Sequence, residues 1–408
     1  MHREQLNFQF LNVGHFLDHY FMLIFATAAA LRLTTEWGLS YAELIPYATP
    51  GFIAFGICAI PAGILADKWS RHGMMLVFFI GIGLGSILAG LARNPVQIGL
   101  SLTIIGVFAA IYHPVGIAMV VQGRTKTGIP LAINGIWGNM GVASAALLTG
   151  FLVDTAGWRS AFFISGIVSI CVGLAYSCFL RTNRQVLLKA QRTYQISPQT
   201  QGVDIAEHTL TKHTLTKHAL IRVFGIIFFT TALGGLIFQS TTFALPGVLA
   251  ERLAGVADTA TMIGWYAFIV FAVASFAQLV VGYLVDQYPV RKVFATVALL
   301  QAVFLYLMMQ LSGLAALIVA TVFMLAVFGQ IPINDVLIGR LVSSGWRSRA
   351  YAARYVVTFS VMATTVPLIA WLQGTWGFSI LFGVLSAAAS LIFIAALLLP
   401  QFQTTEQI

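Results

Sequence analysis

Two imidazoles and a carboxylate stand together inside an apolar run near the start of the chain: His15, Asp18 and His19. Spacings of three and four put His15 on one helical face with both of the others. Such groups can pass a proton among themselves or meet a charged solute. An ionisable side chain inside a lipid-crossing helix costs about 3 kcal/mol or more to place, so it is a functional candidate from the outset. We expect Asp18 to carry a coupling proton and His15 or His19 to share it. If the first helix starts later, the trio sits instead at headgroup level. The same side chains are metal-ligand types, but donors from one helix do not close a coordination sphere. No metal and no cofactor is assigned.

A second set lies further along. His113 follows Tyr112 and precedes Pro114. Proline lacks a backbone donor, so the helix is expected to kink there, free carbonyls and turn His113 inward. Its later counterpart is the stretch with Gln330, Pro332, Asn334 and Asp335. Asp335 is the second candidate for proton coupling, or a partner of Arg340. His113, Asn139, Gln239, Gln330 and Asn334 form the expected substrate-binding set. Asn134 and Gln278 are polar in the same way, and any of these amides can also serve as glue between helices. Arg354 either binds an anion or reaches back to the headgroups. Tyr112, Trp137, Trp265 and Tyr266 line the path or simply pack.

The elements that must hold these residues follow from composition. Hydrophobic residues make up 59% of the 408 and charged residues 9%. A soluble domain carries about 25% charged residues, so this chain cannot clothe a water-facing surface. Its apolar surplus faces lipid, where backbone groups must bond internally. The apolar runs are long and continuous, which selects helices over barrel strands. The chain therefore reads as an all-α, polytopic membrane protein with twelve transmembrane helices in two pseudo-symmetric six-helix bundles. The expected spans are 10–33, 40–66, 73–92, 95–122, 128–154 and 158–181, then 220–250, 259–285, 291–312, 314–341, 349–373 and 376–400. The first is read as a retained helix, not a cleaved signal. Residues 1–181 form the N-terminal bundle, 182–218 a linker and 219–408 the C-terminal bundle. Cys58, Cys171 and Cys178 are scattered in apolar runs and suggest neither disulfide nor metal.

Lysine and arginine give the orientation. Only Arg32, Arg93, Arg159 and Arg252 of the 22 fall on the side away from the termini. By the positive-inside rule both termini and the linker are cytoplasmic and the host is the inner membrane. The formal charge of +9 thus reflects topology and anionic lipid, not nucleic acid. The linker carries a five-residue repeat, His208 to His218, whose spacing does not align on a helix face.

The halves repeat. Gly63, Asp67, Lys68 and Arg71 follow the second span; Gly282, Asp286, Arg291 and Lys292 follow the eighth. Gly63 and Gly282 differ by 219, as do Asp67 and Asp286; Pro114 and Pro332 differ by 218, as do Trp158 and Trp376. Parallel halves with a site between them near mid-membrane are a transporter plan. The loop glycine would let a neighbouring helix approach, and the aspartate would latch onto a helix N-terminus or the nearby arginines.

These loops resemble the signature loop of the major facilitator superfamily. Three strings resemble its fosmidomycin-resistance efflux subfamily: Gly14-His15-Phe16, His113-Pro114 and Gly138-Asn139-Met140-Gly141. The resemblance implies alternating access driven by an ion gradient, with efflux members exchanging substrate for protons. The chain departs from the family in having Ser70 where the loop usually has glycine. It also has no Arg or Lys between Leu100 and Val121, where drug antiporters carry an arginine, and no Gly-Pro pair in the fifth span. We therefore expect a monomeric, proton-coupled exporter of a small solute. A proton symporter importing a nutrient or metal chelate, and a non-transporting sensor or assembly partner, are the alternatives. No Walker loop, HExxH or serine elbow is present, and no enzyme is expected.

Overall fold

The computed structural model describes residues 2–124, 127–183, 217–341 and 344–399, the side chains at 2, 217–221, 339–352 and 355 excepted. Every element among them is a helix. Eleven stretches are long and apolar enough to cross a membrane. In the N-terminal half these are α1 (Arg3–Trp37), α2 (Tyr41–Lys68), α3 (Arg71–Leu91), α4 (Pro95–Val121), α5 (Gly128–Ala156) and α6 (Trp158–Thr182). In the C-terminal half α7 (Arg222–Arg252), α8 (Ala260–Gln287), α9 (Val290–Met308) and α10 (Gly313–Ile338) follow. The last stretch runs 42 residues. At the helical rise that is about 63 Å, twice the bilayer core. It is broken at Gly377, whose φ of 79° ends one helix and starts the next. The whole helix, Ser344–Leu397, thus has two limbs, α11 (344–376) and α12 (378–397), which completes twelve crossings. The matching turn between α5 and α6 uses Gly157, at φ 80°.

The predicted spans agree with these helices to within a few residues, with one informative exception. The first helix starts at His2 and continues through a π-helical turn, Ala29–Leu33, to Trp37. Hydropathy marks only the part in lipid, while the helix carries on into polar surroundings at both ends. The first helix therefore does not start after His15, Asp18 and His19: His15 lies twelve residues, about 18 Å, along it from Arg3.

The halves pack alike. α1 lies along α5, α2 along α4 and α3 along α6; α7 lies along α11, α8 along α10 and α9 along α12. Between the halves α5 meets α8, and α2 meets α11. Lipid supplies no hydrophobic drive between helices, so close backbone approach and hydrogen bonds carry such contacts. A Cβ on Gly150 would stand 2.3 Å from the Ala260 carbonyl oxygen, and one on Gly264 2.7 Å from that of Ala146. Beside them Asp154, at the end of α5, accepts from the Thr261 N–H (2.7 Å), the Thr261 hydroxyl (2.5 Å) and the Ala260 N–H (3.3 Å). It thereby caps the N-terminus of α8 from the other bundle. Tyr41 and Phe378, with rings 5.8 Å apart, join the bundles at this same end, away from the termini.

The two signature loops differ in their surroundings. Asp67 pairs with Arg71 of its own loop at 2.9 Å, and Arg71 also reaches Gln122 at 3.5 Å. The aspartate is well exposed, so the pair contributes little to stability. Gly63 lies in ordinary contact with Pro114, whereas a Cβ on Gly282 would meet nothing within 4 Å. The expected close approach is absent at the second loop, because Gly282 lies on an open face of α8 while Val281 beside it faces Gly329 of α10. Lys68 and Lys292 are exposed, and Arg291 is half-buried. Of the four arginines on the far side, Arg159 pairs with Glu36 at 3.0 Å, Arg32 approaches the same carboxylate at 3.9 Å, and Arg252 donates to Ser379 at 2.8 Å. The His/Lys/Thr repeat lies outside the described residues except for Lys217 and His218, where a helix begins.

Candidate functional site

Proline 114 shapes the first cluster. Without its N–H the α-helical ladder of α4 cannot continue, and Tyr112–Gly116 widens into a π-helical turn. The extra width carries Tyr112 and His113 against α1. Asn12, His15 and His19 occupy the facing stripe of α1, at spacings of three and four.

Tyr112 is fully buried and donates to the Leu11 carbonyl at 2.8 Å. Asn134 of α5 donates to the Tyr112 oxygen at 2.9 Å and to Asn12 Oδ1 at 3.0 Å. The His15 ring stacks on Tyr112, centroids 4.8 Å apart, and its Nδ1 donates to the Asn134 carbonyl at 2.7 Å. That bond fixes the proton on Nδ1 and leaves Nε2 bare in the neutral ring. His15 Nε2 faces His19 Nε2 at 3.2 Å. Asp18, 1% exposed, places Oδ2 3.3 Å from His113 Nε2. One ligating atom from each of His15, His19 and His113 lies within 4.8 Å of the others. The third imidazole thus comes from α4, by packing rather than by sequence proximity.

The three strings noted in the sequence meet at this place. A Cβ on Gly14 would press on the Tyr112 ring at 2.9 Å, and one on Gly138 on His15 Nε2 at 2.7 Å. A Cβ on Gly141 would stand 2.1 Å from the Phe16 carbonyl oxygen. Glycine there lets α5 lie directly on α1. Asn139, five residues from Asn134, is half-buried and projects from a different part of α5. It is not part of this network.

The second cluster lies in the C-terminal bundle. Gln301 of α9 donates to Gln330 Oε1 at 2.6 Å and to the Ala326 carbonyl at 3.1 Å. Thr230 of α7 donates to Asn334 Oδ1 at 3.3 Å. Asp335 forms an ion pair with Arg354 of α11. The amide nitrogens of Gln239 and Gln330 and the Nε of Arg354 are buried without a hydrogen-bond partner among the described residues. Gln301 Oε1 is buried and unpartnered as well, so among the unpaired amide and guanidinium groups of this bundle N–H donors outnumber acceptors. Between the clusters, Phe55 of α2 packs edge-on against both His113 and Phe359 of α11.

Sequence reasoning missed Asn12, Gln301 and Thr230, and it gave Asn134 no more weight than Asn139. A polar residue one turn before His15 was the available signal for Asn12. Trp137 and Trp265 are exposed and Tyr266 is half-buried, so of the aromatic candidates Tyr112 alone is fully buried in the network.

Among solved structures, the inward-open xylose transporter XylE from E. coli matches with a TM-score of 0.70 at 14% identity, over 98% of this chain and 97% of that one. This likeness shows the fold. The gallate transporter of Pseudomonas putida is 26% identical over 145 residues, 35% of this chain and 32% of that protein. A probable hexose phosphate transport protein of Chlamydia pneumoniae is 25% identical over 174 residues, 42% of this chain and 38% of that protein. The chain spans about a third of the length of these two relatives. The 4-hydroxybenzoate transporter of P. putida is 24% identical over 305 residues, 70% of this chain and 67% of that protein. A family model, Major Facilitator Superfamily, matches residues 11–257.

Proposed function

The chain belongs to the Major Facilitator Superfamily, and from that premise we propose that it exports a small organic anion in exchange for protons. It is a multi-pass membrane protein that transports a small solute and is not an enzyme. The observation that carries the anion assignment is the surplus of donors in the C-terminal cluster. Buried N–H groups of Gln239, Gln330 and Arg354 lack acceptors. Leaving such groups unpaired costs about 1–3 kcal/mol each, and a carboxylate or phosphate would satisfy several at once. Asn334 and Asn139 complete the proposed substrate wall, whereas His113, expected there from the sequence, lies in the histidine cluster. The relatives' names fit this chemistry, since gallate, 4-hydroxybenzoate and hexose phosphate are all anions.

Proton coupling is proposed at Asp335. Its side chain is 44% exposed, so a proton can reach it, and neutralising it would release Arg354 to a substrate anion. His15, Asp18 and His19, to which the sequence reading gave this role first, form the more enclosed cluster. The loops at Asp67–Arg71 and Asp286–Lys292 serve as the turns about which the bundles rock. We place both termini in the cytoplasm of an inner-membrane monomer, on the strength of the lysine and arginine asymmetry. The narrower assignment to fosmidomycin-resistance efflux draws its support from the three strings converging at Tyr112 and His15.

Uptake coupled to protons is the second reading. It is favoured by the lack of any Arg or Lys between Leu100 and Val121 in α4. Labelled 4-hydroxybenzoate and gallate, offered to inside-out and right-side-out vesicles under an imposed pH gradient, separate the two. Export predicts accumulation in inside-out vesicles with the interior acidic. Accumulation only in right-side-out vesicles with the exterior acidic would reverse the direction, and no gradient dependence in either would end the proton assignment.

A further inference from the structure

We infer that His15, His19 and His113 form a binding site for one divalent transition-metal ion of the zinc class, with Asp18 as the positioning residue for His113. The geometry is that of converging lone pairs. In tetrahedral zinc the metal–nitrogen distance of about 2.0–2.1 Å sets ligand nitrogens about 3.3 Å apart. His15 Nε2 and His19 Nε2 stand 3.2 Å apart. The Asn134 carbonyl holds the proton of His15 on Nδ1, so Nε2 is the donor atom presented to the metal. A ligating histidine almost always has its second nitrogen tied to a carbonyl or carboxylate in this way.

His113 shows the other half of the same pattern. Its Nε2 stands 3.3 Å from a carboxylate oxygen of Asp18, close enough for that group to position the ring. Its Nδ1 is buried and has no partner among the described residues. A buried imidazole nitrogen without a donor, on a ring whose centroid lies 5.5 Å from those of His15 and His19, is what a metal would satisfy and a hydrogen-bonded relay would not. One ring nitrogen from each of the three histidines lies within 4.8 Å of the others, so the rings need close by roughly 1.5 Å to complete the shell. Imidazole donors select zinc, copper, nickel or cobalt over magnesium and calcium. Three protein ligands leave a coordination position for water or a solute oxygen. With the metal bound, α1 and α4 are cross-linked beside the Phe55–Phe359 contact.

This inference does not depend on transport and is tested without it. The full chain, purified in detergent through a tag without histidines and stripped with a chelator, is titrated with Zn2+ and with Co2+. We expect saturable binding of one ion per chain. X-ray absorption of the zinc-loaded wild type should show three imidazole nitrogens at the distances above, a result that needs no variant to fold. His15→Gln, His19→Gln and His113→Gln, each checked for a monodisperse elution profile, should weaken binding at least tenfold. Asp18→Asn should weaken it about tenfold while leaving the imidazole count unchanged, as expected of a positioning group. A variant with His208, His213 and His218 all replaced by Gln should bind as the wild type does. Absence of saturable binding would overturn the site. So would a first shell without imidazole, or binding that survives His113→Gln but disappears with the linker histidines.

Discussion

Both clusters leave buried polar atoms unpaired among the described residues, but of opposite kinds: chiefly acceptors in the N-terminal cluster (His113 Nδ1 and the Asp18 oxygens) and chiefly N–H donors in the C-terminal one (Gln239, Gln330 and Arg354). The two are built at matching places. Tyr112 and Gln330 differ by 218, the offset of the prolines, and so do Asn12 and Thr230. Tyr112 ties α4 to both α1 and α5 through Leu11 and Asn134. Gln330 is bonded by Gln301 of α9 alone, and its amide nitrogen stays unpartnered among the described residues. One half is therefore knotted by three helices around imidazoles, and the other presents amide and guanidinium donors. The difference suggests a division of labour on a repeated scaffold: cation chemistry in the first half and anion recognition in the second.

The largest effect should come from removing the cation of the second half. Arg354→Gln is expected to lower kcat/KM for an anionic substrate at least a hundredfold, about 2.7 kcal/mol, the scale for truncating a buried charge partner. Most of the loss should appear in KM, measured in proteoliposomes. His113→Gln should leave KM within about threefold, since its proposed ligand is a metal. Equal KM effects in both variants would erase the proposed division.

The next prediction sharpens the contrast in rigidity. At Gly141 the obstacle to a Cβ is the Phe16 backbone, at 2.1 Å; at Gly234 it is the end of the Gln330 side chain, at 2.6 Å. A side-chain tip can move aside and a helix backbone cannot. Gly141→Ala should cost about 1–3 kcal/mol through forced separation of α1 and α5, lowering the melting temperature by roughly 5 °C. Gly234→Ala should lower it far less. A similar melting temperature for the two would mean that the N-terminal cluster is no more tightly built than its counterpart.

Much of this arrangement was legible in the sequence, for identifiable reasons. Hydropathy located the spans because lipid imposes one length on every helix. The spacing of His15, Asp18 and His19 gave a common face because helical geometry is local. Pro114 announced the distortion of α4 because its missing N–H is a covalent fact. What could not be read is pairing across helices. Nothing in the chain near residue 335 names Arg354 as the partner of Asp335, and nothing near residue 15 names His113. Asn134 and Asn139 look alike in sequence, and only the rotation of α5 about its axis separates the one at the centre of the network from the one outside it. Gly63 and Gly282 occupy equivalent positions in the repeat, yet only the first touches a neighbouring helix, because the repeat fixes the element and not its surroundings.

The smallest effect concerns the joint between the halves. Asp154 belongs to the first bundle and caps α8 of the second with three hydrogen bonds, beside the glycine contacts of α5 and α8. A rocking mechanism must break those bonds whenever this end opens, so they bias the equilibrium toward the closed arrangement seen here. Loss of an N-terminal cap costs about 0.5–2 kcal/mol. Asp154→Ala should therefore raise the population open at this end by roughly fivefold, the ratio for about 1 kcal/mol. Asp154→Asn, which keeps one acceptor oxygen, should do less. The readout is maleimide labelling of Ala42→Cys, which faces Gly374 across the same seam, in a background lacking Cys58, Cys171 and Cys178. Faster labelling in Asp154→Ala would make the cap part of the gate. An unchanged rate would mean that the seam is held by the close backbone packing of Gly150 and Gly264, with the aspartate only decorating the end of a contact that glycine makes.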